Sequence, residues 1–252
     1  MLFDFLRYYI KAGNAHSIHS PFVFELYTKI YKDFTPQEEF QELENLRKKL
    51  RADDRAIQIT DFGAGSHYKN RTIKDIAKHA LKSPFWAQFF YRIIRHYNYS
   101  HILELGTSLG LTTSYLAKAA PTGKVYTLEG CPQTLQVAEE NFDQLELSHI
   151  HTYVGNIDQT LPDLLERIEK LDFALLDANH RYTPTLSYFE QCLAKVHERS
   201  VLVFDDIYWS DEMKKAWQEI QKRKEVSLSL DFFHVGMVFF RKGVEKQHFV
   251  LK

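Results

Sequence analysis

Residues 101–113 read His-Ile-Leu-Glu-Leu-Gly-Thr-Ser-Leu-Gly-Leu-Thr-Thr, an apolar run that breaks at Gly106, with Gly110 four places on. Glu129 follows 23 positions after Gly106, at the end of Val125-Tyr126-Thr127-Leu128. A glycine lets the chain turn tightly after a strand, a second lets backbone and helix start approach a ligand, and an acid at the next strand end can hold ribose hydroxyls. Gly106, Thr107, Ser108, Gly110 and Glu129 therefore have the types and spacing of a site for a nucleoside cofactor. The turn is Gly-x-x-x-Gly, not the Gly-x-Gly-x-x-Gly that cradles a pyrophosphate, and Glu104 stands just before it. A carboxylate there repels a diphosphate and suits a cation. S-adenosylmethionine, with its ribose, sulfonium and ammonium groups, fits this turn better than NAD.

Three further segments fall at strand ends, where open α/β sheets bind ligands. Gly155-Asn156-Ile157-Asp158 would lie beside an adenine; Asn156 and Asp158 can equally cap a helix. Asp177-Ala178-Asn179-His180 and Asp205-Asp206 end two later apolar runs. If those two strands are neighbours, Asp177, Asp205 and Asp206 converge at about 5 Å strand spacing. Clustered carboxylates need a cation or a shared proton, and oxygen-only ligands suit Mg²⁺ or another hard divalent cation. Taken singly, each Asp reads as a loop or helix cap. His180 is distinguished from the other histidines by its place beside Asp177.

These residues need a scaffold, and the pattern supplies one. From residue 101 onward, apolar runs at 101–105, 124–129, 150–154, 172–176 and 200–204 alternate with helical patterns at 110–119, 132–144, 158–169, 184–196 and 211–223. Thr183-Pro184 reads as the cap and first turn of the fourth of these helices, and Ser210 as the cap of the last. The chain closes with Val226, Leu228, Leu230 and Phe232 alternating with polar residues, then a second strand at 235–240, an antiparallel hairpin. Five β-α units and a hairpin predict an α/β fold: a Rossmann-like, mostly parallel seven-stranded sheet with one antiparallel strand. Residues 1–98 read as a helical N-terminal region for lid, substrate or oligomer contacts, and 99–252 as the core. Within the first part, a helix starts at Pro21, another opens at Thr35-Pro36, residues 57–60 form a short strand, and helices cover 72–82 and 84–97.

Asp61-Phe62-Gly63-Ala64-Gly65-Ser66 is a second glycine turn, but no Asp or Glu occurs between Asp75 and Glu104 to serve it. It reads as a tight turn. The basic run Lys69, Arg71, Lys74, Lys78 and Lys82 reads as a solvated helix face. In 252 residues, Lys and Arg total 32 against 33 Asp and Glu, which gives no general argument for nucleic-acid or membrane binding. The two cysteines, Cys131 and Cys192, form no disulfide framework or zinc spacing and suit a cytoplasmic setting. Residues 1–11 read as a helix rather than a signal peptide, and no stretch is long and apolar enough to span a bilayer.

The residues from about 84 to 252 resemble class I S-adenosylmethionine-dependent methyltransferases, and are most similar to the catechol and caffeoyl-coenzyme-A type of O-methyltransferase. The resemblance rests on Glu104-Leu105-Gly106, Glu129, Gly155 to Asp158 followed by Leu161-Pro162, Asp177, and the pair Asp205-Asp206. It implies strand order 3-2-1-4-5-7-6. It also implies metal ligation by Asp177, Asp205 and Asp206, with Asp177 additionally near the cofactor. Two positions depart from the family: His180 replaces the lysine that helps deprotonate the acceptor, and Asp206 replaces an asparagine. Histidine can act as a base near neutral pH. The reading is methyl transfer to a small-molecule hydroxyl, with Asp177 and His180 as catalytic candidates. An RNA methyltransferase and a non-catalytic cofactor-binding module are the alternatives, and a homodimer stays open.

Overall fold

The computed structural model describes residues 2–60 and 69–252. The glycine turn at 61–66 lies outside them. From the amino end, α1 (Leu2–Lys11) and α2 (Pro21–Leu26) lead through a π-helical turn at Tyr27–Tyr31 to α3 (Glu38–Arg51). Strands β1 (Ala56–Ile59) and β2 (Lys69–Thr72), then α4 (Ile73–Ala80) and α5 (Pro84–Tyr97), precede the alternating part. That part runs β3 (His101–Leu105), α6 (Leu111–Ala119), β4 (Lys124–Glu129), α7 (Pro132–Gln144), β5 (Ile150–Val154) and α8 (Ile157–Arg167). It continues with β6 (Leu171–Leu176), α9 (Tyr182–Leu193), β7 (Val196–Asp205) and α10 (Asp211–Lys222). Strands β8 (Leu228–Asp231), β9 (Val235–Phe239) and β10 (Gln247–Val250) close the chain.

The chain divides into two compact units. The middle-segment unit, Asp33–Thr160, holds parallel β3, β4 and β5 with β4 between the others. Leu105 pairs with Leu128 and Glu129 with Val154, so the three strands end nearly level. In β3, residues 102–105 are all buried, as expected of a parallel strand covered on both faces. Helix α5 is capped by the Ser83 hydroxyl, which accepts from the Trp86 N–H, and ends at Asn98 in a left-handed conformation. It buries Phe89, Phe90, Ile93 and Ile94.

The two-segment unit joins the chain up to Lys32 with Leu161–Lys252. Its strands run in the order β10-β8-β9-β7-β6. β6 and β7 are parallel, β9 is antiparallel to both β7 and β8, and β10 is parallel to β8. The orders within the two units reproduce the 3-2-1 and 4-5-7-6 segments expected, with β9 as the one reversed strand.

The expectations fail in instructive places. With β10, which the pattern does not reveal, the main-sheet strands number eight among the described residues, not seven. The basic run is not one helix face: Lys69–Thr72 pairs with Ala56–Ile59 as β2, and α4 starts only at Ile73. Helix α3 starts at Glu38, beyond Thr35-Pro36, because the Thr35 N–H is taken by the Asp33 carboxylate at 2.8 Å in a turn of its own. Helix α9 is entered from Arg181, so Thr183-Pro184 lies inside its first turn. The polar residues of β8 do not face water. Ser229 and Asp231 are buried, their partners being His248 on β10 and Tyr208 and Trp217 from the α10 region.

Candidate active site

In the middle-segment unit the β3–α6 turn is shaped by positive φ at Gly106 (97°), Ser108 (49°) and Gly110 (76°). The Gly106 and Thr107 N–H groups donate to the Leu128 carbonyl at 2.9 and 3.2 Å, binding the turn to the end of β4. At Gly110 a Cβ would stand 2.6 Å from the Phe142 ring and 2.8 Å from Ala138 Cβ, so glycine is required for the α6–α7 approach as well as for φ.

Glu129 sits at the end of β4, half-buried, with each carboxylate oxygen fixed by a backbone donor. Ser108 N–H reaches Oε2 at 2.8 Å and Cys131 N–H reaches Oε1 at 2.9 Å. The acid is thereby locked between the glycine turn and the start of α7. Cys131, which sequence reasoning passed over, also accepts the Thr60 N–H through Sγ at 3.4 Å. The signal for its role was Pro132, which makes residue 131 the N-cap of α7 and aims its N–H back at the preceding strand end.

Glu104 is 1 % exposed. Thr127 Oγ1 donates to its Oε2 at 2.7 Å, Thr113 Oγ1 donates to the same oxygen, and Thr107 Oγ1 meets Thr127 Oγ1 at 2.6 Å. Burial pushes the Glu104 carboxyl up to about 7, against the two threonine hydrogen bonds, which lower it. Glu104 thus ties β3, β4 and α6 together beneath the turn.

After β5, Gly155 takes φ 131° and donates to the Glu129 carbonyl at 2.9 Å. Asn156 caps α8: its Oδ1 accepts the Asp158 N–H at 3.0 Å and its carbonyl accepts from Gln159 and Thr160. Ile157 is the first residue of α8, half-buried, and Asp158 is exposed. The turn, Glu129 and the Gly155–Asn156 loop thus occupy the carboxyl ends of three adjacent parallel strands, where this class of sheet binds ligands.

In the two-segment unit, His180 Nε2 lies 3.5 Å from Asp177 Oδ1 in the loop after β6. Asn179 and His180 have φ of 66° and 38°, two successive left-handed non-glycine residues. Such backbone costs of order 1–3 kcal/mol per residue and concentrates at functional sites. Asn179, absent from the sequence-based candidates, braces the loop by donating from Nδ2 to the Tyr188 hydroxyl at 3.3 Å. Asp205 ends β7 and is buried, whereas Asp206 takes φ 52° and its carbonyl accepts the Trp209 N–H at 2.8 Å.

The expected metal set does not assemble. Among the described residues no three His, Cys, Asp or Glu side chains form a group that could hold a metal ion. Asp177, Asp205 and Asp206 therefore do not fit a divalent ion as placed, and no step is derived through one. Also among the described residues, no helix is long and apolar enough to cross a membrane.

Residues 103–207 match the methyltransferase domain family. The chain is 30% identical over 128 residues to catechol O-methyltransferase of Niastella koreensis, covering 50% of this chain and 57% of that protein. It is 26% identical over 148 residues to O-methyltransferase imqG of Aspergillus flavus, covering 55% and 59%. The aligned region therefore spans less than two thirds of the length of either curated relative. The fold is shared with the O-methyltransferase from Bacillus cereus, solved in complex with SAH (TM-score 0.57, 18% identity, 84% of this chain and 96% of that one). It is shared too with TomG from Streptomyces achromogenes, solved with SAM (TM-score 0.59, 16% identity, 82% and 91%). Residues 103–207 thus carry a methyltransferase domain, and the chain is similar in sequence and fold to O-methyltransferases that use S-adenosylmethionine.

Proposed function

We propose that the protein transfers the methyl group of S-adenosylmethionine to a hydroxyl of a small-molecule acceptor. The observation that supports this most is the Glu129 carboxylate, held by the Ser108 and Cys131 N–H groups at the level of the glycine turn. A carboxylate has about four acceptor positions, and the two backbone donors set the direction in which it presents them to ribose hydroxyls. Gly106 and Gly155, at positive φ, suit the same ligand, since glycine adopts that backbone freely and brings no Cβ to the turn or the neighbouring loop. Thr107, Ser108, Asn156 and Ile157 supply the remaining walls. Glu104, under the turn, gives the methionine end a negative partner when ionised.

Bound there, S-adenosylmethionine supplies an electrophilic methyl carbon on a sulfonium centre. The chain's contribution is alignment of an acceptor oxygen for in-line attack, and removal of its proton. His180 is the base. His180 takes the hydroxyl proton, and the Asp177 carboxylate, 3.5 Å from Nε2, steadies the imidazolium that results. The oxygen–carbon bond forms, the carbon–sulfur bond breaks with its electron pair going to sulfur, and the proton rests on His180. The unpaired cysteines are in keeping with a cytoplasmic enzyme.

One relative is named for catechol, so catechols head the acceptors to try. Incubation with methyl-labelled S-adenosylmethionine and a panel of small aromatic and aliphatic hydroxyl compounds tests the proposal. Label should move to at least one acceptor, with and without chelator. Label that reaches only amines, thiols or RNA would contradict hydroxyl transfer.

A further inference from the structure

Helix α1 is anchored along one side and bare along the other. Tyr8 and Ala12 are buried, the Tyr8 hydroxyl donates to the Leu251 carbonyl, and the Phe5 ring meets Phe233 edge-on at 5.1 Å. Asp4 pairs with Lys214 at 3.2 Å, and the Gly13 N–H donates to the Val250 carbonyl at 2.8 Å. These contacts fix the rotation of the helix. Phe3, Leu6 and Ile10 consequently face outward, 86, 50 and 84 % exposed, with Tyr9 beside them. Positions 3, 6 and 10 are one stripe of a helix, and a contiguous exposed apolar stripe marks a contact surface.

Cations border the stripe. At 100° per residue, Arg7 and Lys11 follow it on the flank that leads to Asp4. On the other flank Lys252 Nζ stands 4.0 Å from the centre of the Tyr9 ring. Beside Arg7 and Lys11 opens a cleft of about 380 Å³, whose other charged lining residues are Lys214, Lys215, Asp4 and Asp211. Lys214 is taken up by Asp4 and by Asp211 at 2.6 Å, while among the described residues Arg7, Lys11 and Lys215 have no carboxylate at ion-pair distance.

We infer that α1 docks on a bilayer surface bearing anionic phospholipids, with Phe3, Leu6 and Ile10 entering the acyl boundary and the cleft receiving headgroup phosphate. The helix lies on the surface and does not span. A second copy of the chain is the poorer occupant. A ten-residue helix is about 15 Å long and about 10 Å wide, so one face offers far less than the roughly 800 Å² per partner of a stable dimer. Two such faces would also bring Arg7 and Lys11 of both copies together, and Asp4, the acid of α1, is already paired. The even charge balance of the whole chain conceals this local concentration of cations.

Co-sedimentation of the full chain with vesicles tests the inference. Vesicles of phosphatidylcholine mixed with phosphatidylglycerol should bind at least about tenfold more protein than phosphatidylcholine alone, and high salt should release it. The double variants Leu6→Ser/Ile10→Ser and Arg7→Glu/Lys11→Glu alter exposed side chains, and each should cut binding at least about tenfold while leaving S-adenosylhomocysteine affinity unchanged. No binding, equal binding to both vesicles, or a solution dimer that Leu6→Ser/Ile10→Ser splits into monomers would overturn it. Cofactor affinity is read separately, so failure here is distinguishable from failure of the methyltransferase reading.

Discussion

Replacing Glu104 with Gln should remove one component of the pH dependence of stability, the one set by this buried carboxyl. Burial raises the Glu104 carboxyl from 4.5 to about 7. Between those values the folded state keeps a proton that the unfolded chain has released. The contribution of this group is therefore fully present below about pH 4.5 and lost as pH rises through about 7, a fall of about 3 kcal/mol. Gln keeps an oxygen where Oε2 accepts from Thr113 and Thr127 and has no proton to lose. An imperfectly paired amide nitrogen would shift the variant's stability by a constant, but not its slope. Urea denaturation followed by circular dichroism, from about pH 5 to about pH 8, compares the two proteins. The variant should gain on the native chain by about 2–3 kcal/mol across that window. A stability difference that stays constant with pH would refute the assignment of a high-pKa carboxyl beneath the glycine turn.

Three further outcomes follow from the same geometry. Gly110→Ala should lower stability by about 2–4 kcal/mol in thermal melts, since its Cβ meets Phe142 and Ala138 and its φ stays positive; a change within experimental error would show that α6 and α7 can separate freely. Asp231→Ala should cost about 3 kcal/mol or more in urea, because the buried carboxylate accepts from Tyr208, Trp217 and the Phe233 N–H; a neutral result would mean water replaces it. His180→Ala should reduce methyl transfer at least about a hundredfold while leaving S-adenosylhomocysteine affinity within about twofold, whereas unchanged turnover would remove His180 as the base.

The parts of the fold legible in the sequence are those whose signal is local. Strands β4 and β5 and helix α7 fall at the expected residues, because apolar runs punctuated by Gly123, Pro132 and Gly155 define them without help from distant contacts. β2 is illegible for the opposite reason: Lys-Asn-Arg-Thr carries no apolar period and is a strand only because its backbone pairs with β1. β10 likewise depends on β8, and the buried state of Asp231 depends on Tyr208 and Trp217, 23 and 14 residues away. At the site, glycine spacing and Glu129 were readable as types in order. That Glu104 is buried under threonines was not, since Thr113 and Thr127 lie 9 and 23 residues off. The convergence expected of Asp177, Asp205 and Asp206 followed from strand adjacency alone, and among the described residues no group of three such side chains forms.

Isothermal titration of the native protein and Glu129→Ala with S-adenosylhomocysteine tests the central claim most directly. One saturable site in the native protein is expected, with affinity reduced at least about tenfold in the variant through lost hydrogen bonds to a charged group. Absence of binding to the native protein, or equal affinity in both, would contradict the cofactor site assigned to the β3–α6 turn and Glu129.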